Sequence, residues 1–342
     1  MNQSLQFIVH RSAFIVLLLA LAPAARAGWA PQKSGTLANL RAVHFADASR
    51  GWAAGGKGAL VSTEDGGLTW RQRTRPTTDN MLDVFFTDAA TGWLVCERNI
   101  YDLARAESPR SYLLKTTDGG DTWSRVEAAR DDAGVLLTRL VFADARTGWA
   151  FGEMGALYAT RDGGGTWERQ RVPTRRLLLG GSFLDASRGW LVGAGSTVLH
   201  TADGGAEWRG APGVPSASAE AARLNAVSFA DARRGWAVGQ AGLILSTADG
   251  GRTWARQDSP AGADLSDVKF FDSAEGWAAG SNGTLLHTTD GGANWRAEPS
   301  GTRHPLARLA FVSRARGWAV GFGGTILAYA DTPAGPPKLK AE

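Results

Sequence analysis

The chain has 342 residues, a formal net charge of +4 and a single cysteine. One cysteine excludes an intrachain disulfide, and so small a charge on so long a chain gives no electrostatic case for nucleic acid. Stability has to come from packing, and 14 tryptophans are the first sign of where that packing lies.

Residues 1–27 have the plan of an export signal. His10 and Arg11 precede an apolar run from Ala13 to Ala22, which has the length of a secretory h-region and is too short to span a bilayer. Ala25-Arg26-Ala27 then supplies a small-x-small pattern, so cleavage is expected before Gly28, and no cysteine stands there to carry a lipid. The segment takes Arg11 and Arg26 with it and no acid, leaving a mature net charge of +2. The expectation is an exported protein, periplasmic or extracellular and monomeric, without a transmembrane segment in the mature chain.

From Gly28 onward the sequence repeats itself. Gly-Trp recurs with tryptophans at 52, 93, 149, 190, 236, 277 and 318, at intervals of 41, 56, 41, 46, 41 and 41 residues. A second element, Thr-x-Asp-Gly-Gly-x-x-Trp, follows six of these dipeptides and ends at Trp70, Trp123, Trp167, Trp208, Trp254 and Trp295. The fourteenth tryptophan, Trp29, looks like the tail of a repeat whose front is elsewhere. The last repeat, from Leu306 to Tyr329, lacks that tail.

Within one unit, four β-type segments are expected: 224–229, 235–239, 243–247 and 253–257, separated by turn residues. Asp231 is placed to cap the first turn through its carboxylate, and Asp47, Asp88, Asp144, Asp185 and Asp272 occupy the same position. Four strands per period of 41 to 56 residues match propeller blades. The reading is an all-β protein, a seven-bladed β-propeller over residues 28–331 with four-stranded antiparallel blades. The mature N-terminal strand closes the ring, and 332–342 form a disordered tail. The tryptophans are expected as inter-blade core.

No constellation identifies an active site. Each Asp-Gly-Gly turn offers a single acid, which is too little for a calcium cage, and no histidine pair has metalloprotease spacing; neither metal nor cofactor is expected. The loops between strands two and three and those between blades share one rim, where length varies most. An insertion from Cys96 to Ser111 brings Arg98, Tyr101, Arg105 and Arg110 there. The connecting loops add Arg73, Arg75, Arg171, Arg175, Arg176, Arg303 and His304. Planar guanidinium groups in that number suit a carboxylate-rich protein partner.

Two resemblances bear on these motifs. Thr-x-Asp-Gly-Gly-x-x-Trp resembles the Asp-box of bacterial neuraminidase repeats. In families that carry it, the box lies on the rim opposite the active site, which implies that its aspartates are not catalytic. The whole unit, of which Leu40-Arg-Ala-Val-His-Phe45 through Thr63-Glu-Asp-Gly-Gly-Leu-Thr-Trp70 is an instance, is similar to the photosystem II assembly/stability factor family of plastids and cyanobacteria and their bacterial relatives. That resemblance covers residues 28–331. It implies an exported propeller without catalysis, a scaffold that holds a membrane-associated or exported protein through an arginine-rich surface. The alternative is a carbohydrate-active or glycan-binding Asp-box protein, sialidase-like; paired carboxylates for it are not recognisable.

Overall fold

A computed structural model describes residues 28–98, 109–129, 132–211, 214 and 222–331. Residues 1–27, read above as an export signal, Tyr101, Arg105 and residues 332–342 lie outside the described residues.

The first described strand is β1 (Gly28–Gln32). Blade 1 is β2–β5 (Leu40–Phe45, Gly51–Gly55, Leu60–Thr63, Arg71–Gln72) and blade 2 is β6–β9 (Asn80–Phe86, Gly92–Glu97, Ser111–Thr116, Ser124–Val126). Blade 3 is β10–β13 (Leu137–Phe142, Gly148–Gly152, Leu157–Thr160, Glu168–Arg169) and blade 4 is β14–β17 (Leu178–Phe183, Gly189–Gly193, Thr197–Thr201, Arg209–Gly210). Blade 5 is β18–β21 (Leu224–Phe229, Gly235–Gly239, Ile244–Thr247, Ala255–Gln257) and blade 6 is β22–β25 (Leu265–Phe270, Gly276–Gly280, Leu285–Thr288, Arg296–Ala297). Blade 7 comprises β26–β28 (Leu306–Ser313, Arg316–Gly321, Ile326–Ala330), and its fourth strand is β1, paired antiparallel with β28 from Gly28↔Ala330 to Gln32↔Ile326. Each first strand packs against the next around the axis, and β26 packs against β2, so the seven sheets form a ring.

Two boundaries differ from the sequence reading. The third strand of blade 5 begins at Ile244, because the Leu243 N–H is spent closing a tight turn on the Gln240 carbonyl. The fourth begins at Ala255, because Thr253 is bound into the preceding turn by Asp249.

The Gly-Trp dipeptide holds neighbouring blades together. The second-strand tryptophan of one blade stacks on the phenylalanine ending the first strand of the next. Trp52 lies on Phe86 (3.5 Å, 7°), Trp190 on Phe229 (3.6 Å, 9°), Trp236 on Phe270 (3.5 Å, 4°) and Trp318 on Phe45 (3.7 Å, 15°). The fourth-strand tryptophan meets that phenylalanine edge-on, as Trp254 meets Phe229 at 88°. Trp29 meets Phe311 the same way, at 6.0 Å and 82°, so the borrowed strand completes blade 7 with its own aromatic triad. Glycine precedes the tryptophan because that phenylalanine ring lies where a side chain would be: a Cβ on Gly235 would stand 2.6 Å from Phe229.

The Thr-x-Asp-Gly-Gly turn saturates itself and then grips its neighbour. Thr247 Oγ1 accepts the Gly251 N–H (3.0 Å) and donates to Asp249, whose carboxylate accepts the Thr253 N–H and hydroxyl. Every turn of this kind also offers the carbonyl of its first glycine to the preceding blade. Gly119, Gly250 and Gly291 accept the indole N–H of Trp52, Trp190 and Trp236. At the other seams a cation substitutes: Lys115 for Gly163, Arg161 for Gly204 and Arg316 for Gly66. The second glycine gives the neighbour room, since a Cβ on Gly164 would lie 2.1 Å from the Trp93 ring.

Blade 2 departs from the pattern. Cys96 occupies the place of a glycine and is fully buried, in a hairpin lengthened by the pairs Asn80↔Glu97 and Glu97↔Ser111. Burial pushes its thiol up to about 12, which leaves it unreactive at neutral pH.

The axial mouth as candidate functional site

In every blade the pairing of the first two strands slips by one residue near the start, as between Leu40 and Ala42 or Leu224 and Ala226. A bulge leaves its extra residue out of the ladder and re-aims it. Those extra residues are Arg41, Leu82, Thr138, Leu179, Asn225, Ser266 and Ala307, and all seven line one cavity of about 450 Å³ where the axial channel opens on the variable rim. Leu82, Leu136 and Leu179 form an apolar crescent on one side of it. Two ion pairs flank the opening, Arg41–Glu97 and Arg223–Asp264, each at 3.6 Å.

One residue deeper, the channel is braced by charge. Arg139 lies 3.9 Å from Asp83, while Arg308 of blade 7 reaches Asp83 of blade 2 (3.6 Å) and Asp267 of the neighbouring blade 6 (3.8 Å). Both carboxylates also accept backbone N–H groups of the following blade, from Leu140 (3.0 Å) and Leu309 (2.8 Å). The Arg139 Nε donates to the Leu179 carbonyl at 3.0 Å. Burial, with Arg308 alongside, lowers the Arg139 guanidinium to about 10, so it stays protonated at neutral pH. Below this brace the channel narrows to a chamber of about 110 Å³, where burial lowers His44 to about 4 and keeps it neutral.

The arginines singled out from the sequence do not converge on one spot. Arg75, Arg171, Arg175, Arg176, Arg303 and His304 are exposed on loops between blades, with His304 Nδ1 held at 2.9 Å from the Thr325 hydroxyl. Arg110 is bound to Glu153 (2.7 Å), and the Arg98 guanidinium lies 5.7 Å from the Tyr112 ring. Arg73 needs correcting: its guanidinium pairs with Asp121, in the Asp-Gly-Gly turn of blade 2. It follows the fourth-strand tryptophan by three residues, as Gln257 does, and both side chains reach toward the next blade's turn. Among the described residues, no three His, Cys, Asp or Glu side chains gather closely enough to hold a metal ion.

The mouth residues were missed because they do not repeat in type: arginine, leucine, threonine, asparagine and serine stand at equivalent positions. Their signal in the sequence is that variability, near the start of an otherwise regular first strand.

Fold and site together define a seven-bladed β-propeller that is braced by charge along its axis and opens through a polar mouth on its variable rim. The chain belongs to the photosynthesis system II assembly factor YCF48 family, whose sequence model matches residues 74–175, 166–260 and 257–330. A curated relative, the photosystem II assembly lipoprotein Ycf48 of Synechococcus sp. (strain CC9902), is 28% identical over 139 residues. That alignment spans 39% of this chain and 37% of the relative. A solved structure of YCF48 bound to D1 peptide superposes with a TM-score of 0.72 at 23% identity, covering 88% of this chain and 96% of that one. YCF48 from Cyanidioschyzon merolae gives 0.71 at 22%, covering 89% and 99%.

Proposed function

We propose that the protein is an exported, non-catalytic assembly factor that holds a segment of a membrane-associated or exported protein partner at the axial mouth. The observation that carries this reading is the set of seven bulge residues turned into one cavity. The propeller spends its bulges on presenting seven different side chains together. Family membership supports it, as does the relative whose structure holds a D1 peptide. An apolar anchor of the partner fits the leucine crescent. Its charged groups exchange for those of the Arg41–Glu97 and Arg223–Asp264 pairs, whose 3.6 Å separations are looser than tight charge-assisted hydrogen bonds. Export rests on residues 1–27, read as a cleaved signal.

The test is capture from solubilised native membranes on immobilised protein. Wild type retains a discrete protein partner, whereas the Arg41→Glu/Arg223→Glu variant loses it at unchanged melting temperature. Equal capture by the two proteins, or turnover of a glycan substrate by the wild type, defeats the reading.

A further inference from the structure

Among the described residues, the exposed large apolar side chains are Leu37 (89%), Leu68 (64%), Met154 (57%) and Phe322 (52%). All but Leu68 stand on the variable rim. Met154 is at the tip of the second hairpin of blade 3, in a left-handed conformation (φ 55°, ψ 26°) that costs backbone energy for any residue with a Cβ. Lys57, Ala241 and Asn282 hold the same conformation at this turn of their own blades, so the backbone belongs to the hairpin, and what sets Met154 apart is the apolar side chain it holds out into water. Phe322 occupies the equivalent turn of blade 7, edge-on to His304 at 5.9 Å. That turn is bonded to the loop bearing Leu37, through the Gly323 N–H to Asn39 Oδ1 (3.0 Å).

Each tip has arginines beside it. The Met154 turn donates from the Gly155 N–H to the Arg176 carbonyl at 3.0 Å, in the loop that also carries Arg171 and Arg175. Arg303 adjoins His304 next to Phe322. None of these four arginines makes an ion pair within the described residues. On the opposite rim, Arg50, Arg188 and Arg314 pair with Asp47, Asp185 and Asp272, while Arg146, Arg233 and Arg234 make no ion pair within the described residues, so what separates the rims is the three apolar tips that stand beside the variable rim's arginines.

We propose that the variable rim docks on an anionic lipid surface, with Met154 and the Leu37–Phe322 pair entering the headgroup layer and the arginines beside them meeting lipid phosphates. Blades 3 and 7 lie on opposite sides of the axis, so a flat surface touches both tips at once. The tips project from the rim. Energetically dominant residues at protein interfaces sit in closely packed pockets, whereas protruding apolar tips among unpaired cations suit a soft, negatively charged interface, where apolar insertion and charge act together. This docking is independent of what the mouth holds and leaves the mouth facing the membrane.

The experiment is co-sedimentation of the purified protein with vesicles of phosphatidylcholine alone or mixed with phosphatidylglycerol. Wild type pellets with the mixed vesicles only, less so as salt rises. Arg175→Gln and Arg176→Gln each lower the partition coefficient by about 5-fold. Met154→Ser/Phe322→Ser lowers binding in low and high salt alike. Melting temperatures stay unchanged, and Met154→Gly melts no lower than wild type because glycine relieves the left-handed backbone. Failure of wild type to pellet with mixed vesicles overturns the proposal, as does equal sedimentation of wild type and variants. If vesicles are not bound while the same substitutions abolish capture of the protein partner, the rim is a protein interface and the lipid assignment falls. Vesicle binding that survives substitution of Arg41 and Arg223 supports it, whatever becomes of the partner at the mouth.

Discussion

The two rims are built from the same repeats and put them to opposite uses. On the rim of the Asp-Gly-Gly turns, each carboxylate is saturated by its own hairpin and each first-glycine carbonyl is taken by the preceding blade. On the other rim the hairpin tips change from blade to blade and the bulge residues turn inward to the mouth. One rim closes the ring, and the other is free to vary because that closure does not depend on it.

Four ways of breaking the closed side, and one of leaving it intact, sharpen the contrast. The largest effect is expected from deleting residues 28–32, which removes the fourth strand of blade 7 together with Trp29 and exposes the edge of β28. Thermal melting should drop further than for any point substitution, with aggregation on heating; an unchanged melting curve would show that blade 7 stands without it. Trp236→Ala comes next, since the ring is 3% exposed and sandwiched on Phe270. It should cost about 3–5 kcal/mol in chemical denaturation.

Thr247→Val keeps the shape of the Asp-Gly-Gly turn and strands the buried Gly251 N–H, for about 1–3 kcal/mol. Acid should loosen the same rim. Hydrogen bonds from Asn294 hold Asp290 down to about 2, and backbone N–H groups of Glu275 and Ala274 do the same for Asp272, against an ordinary 3.8. Their stabilisation is complete above pH 4, is lost as pH falls toward 2, and melts across that window should show it. The smallest effect belongs to the variable rim. Arg175→Glu/Arg176→Glu changes two exposed, unpaired side chains and should move stability by no more than about 0.5 kcal/mol.

The fold was legible because its strongest contacts repeat. Gly-Trp and Asp-Gly-Gly mark the inter-blade aromatic triad and the self-saturated turn, and both need the same residue types in each blade. A further signal lay unread. Gln32 follows Trp29 by three residues, as Gln170 follows Trp167 and Gln257 follows Trp254. All three accept an indole N–H from the next blade, at Trp70, Trp208 and Trp295. The site was less legible because charge was sought on loops. The channel brace of Asp83, Arg139, Asp267 and Arg308 shares one position of the first strand with Ala42, Gly180 and Ala226, so no single repeat displays it. Arg73 was misplaced because a long side chain beginning near one rim can finish at the neighbouring blade's turn.

The seven bulges have a consequence for change over time. A residue left out of the strand ladder is uncoupled from the alternation that decides which side chains enter the core. Apart from Leu82, which is packed in the core, and Thr138 and Asn225, which donate to carbonyls of the next blade, the positions around the opening can therefore be rewritten one by one, like digits of a combination lock, without asking the blade beneath to refold. A ring of this design can change what it recognises by single substitutions while its scaffold stays as it is.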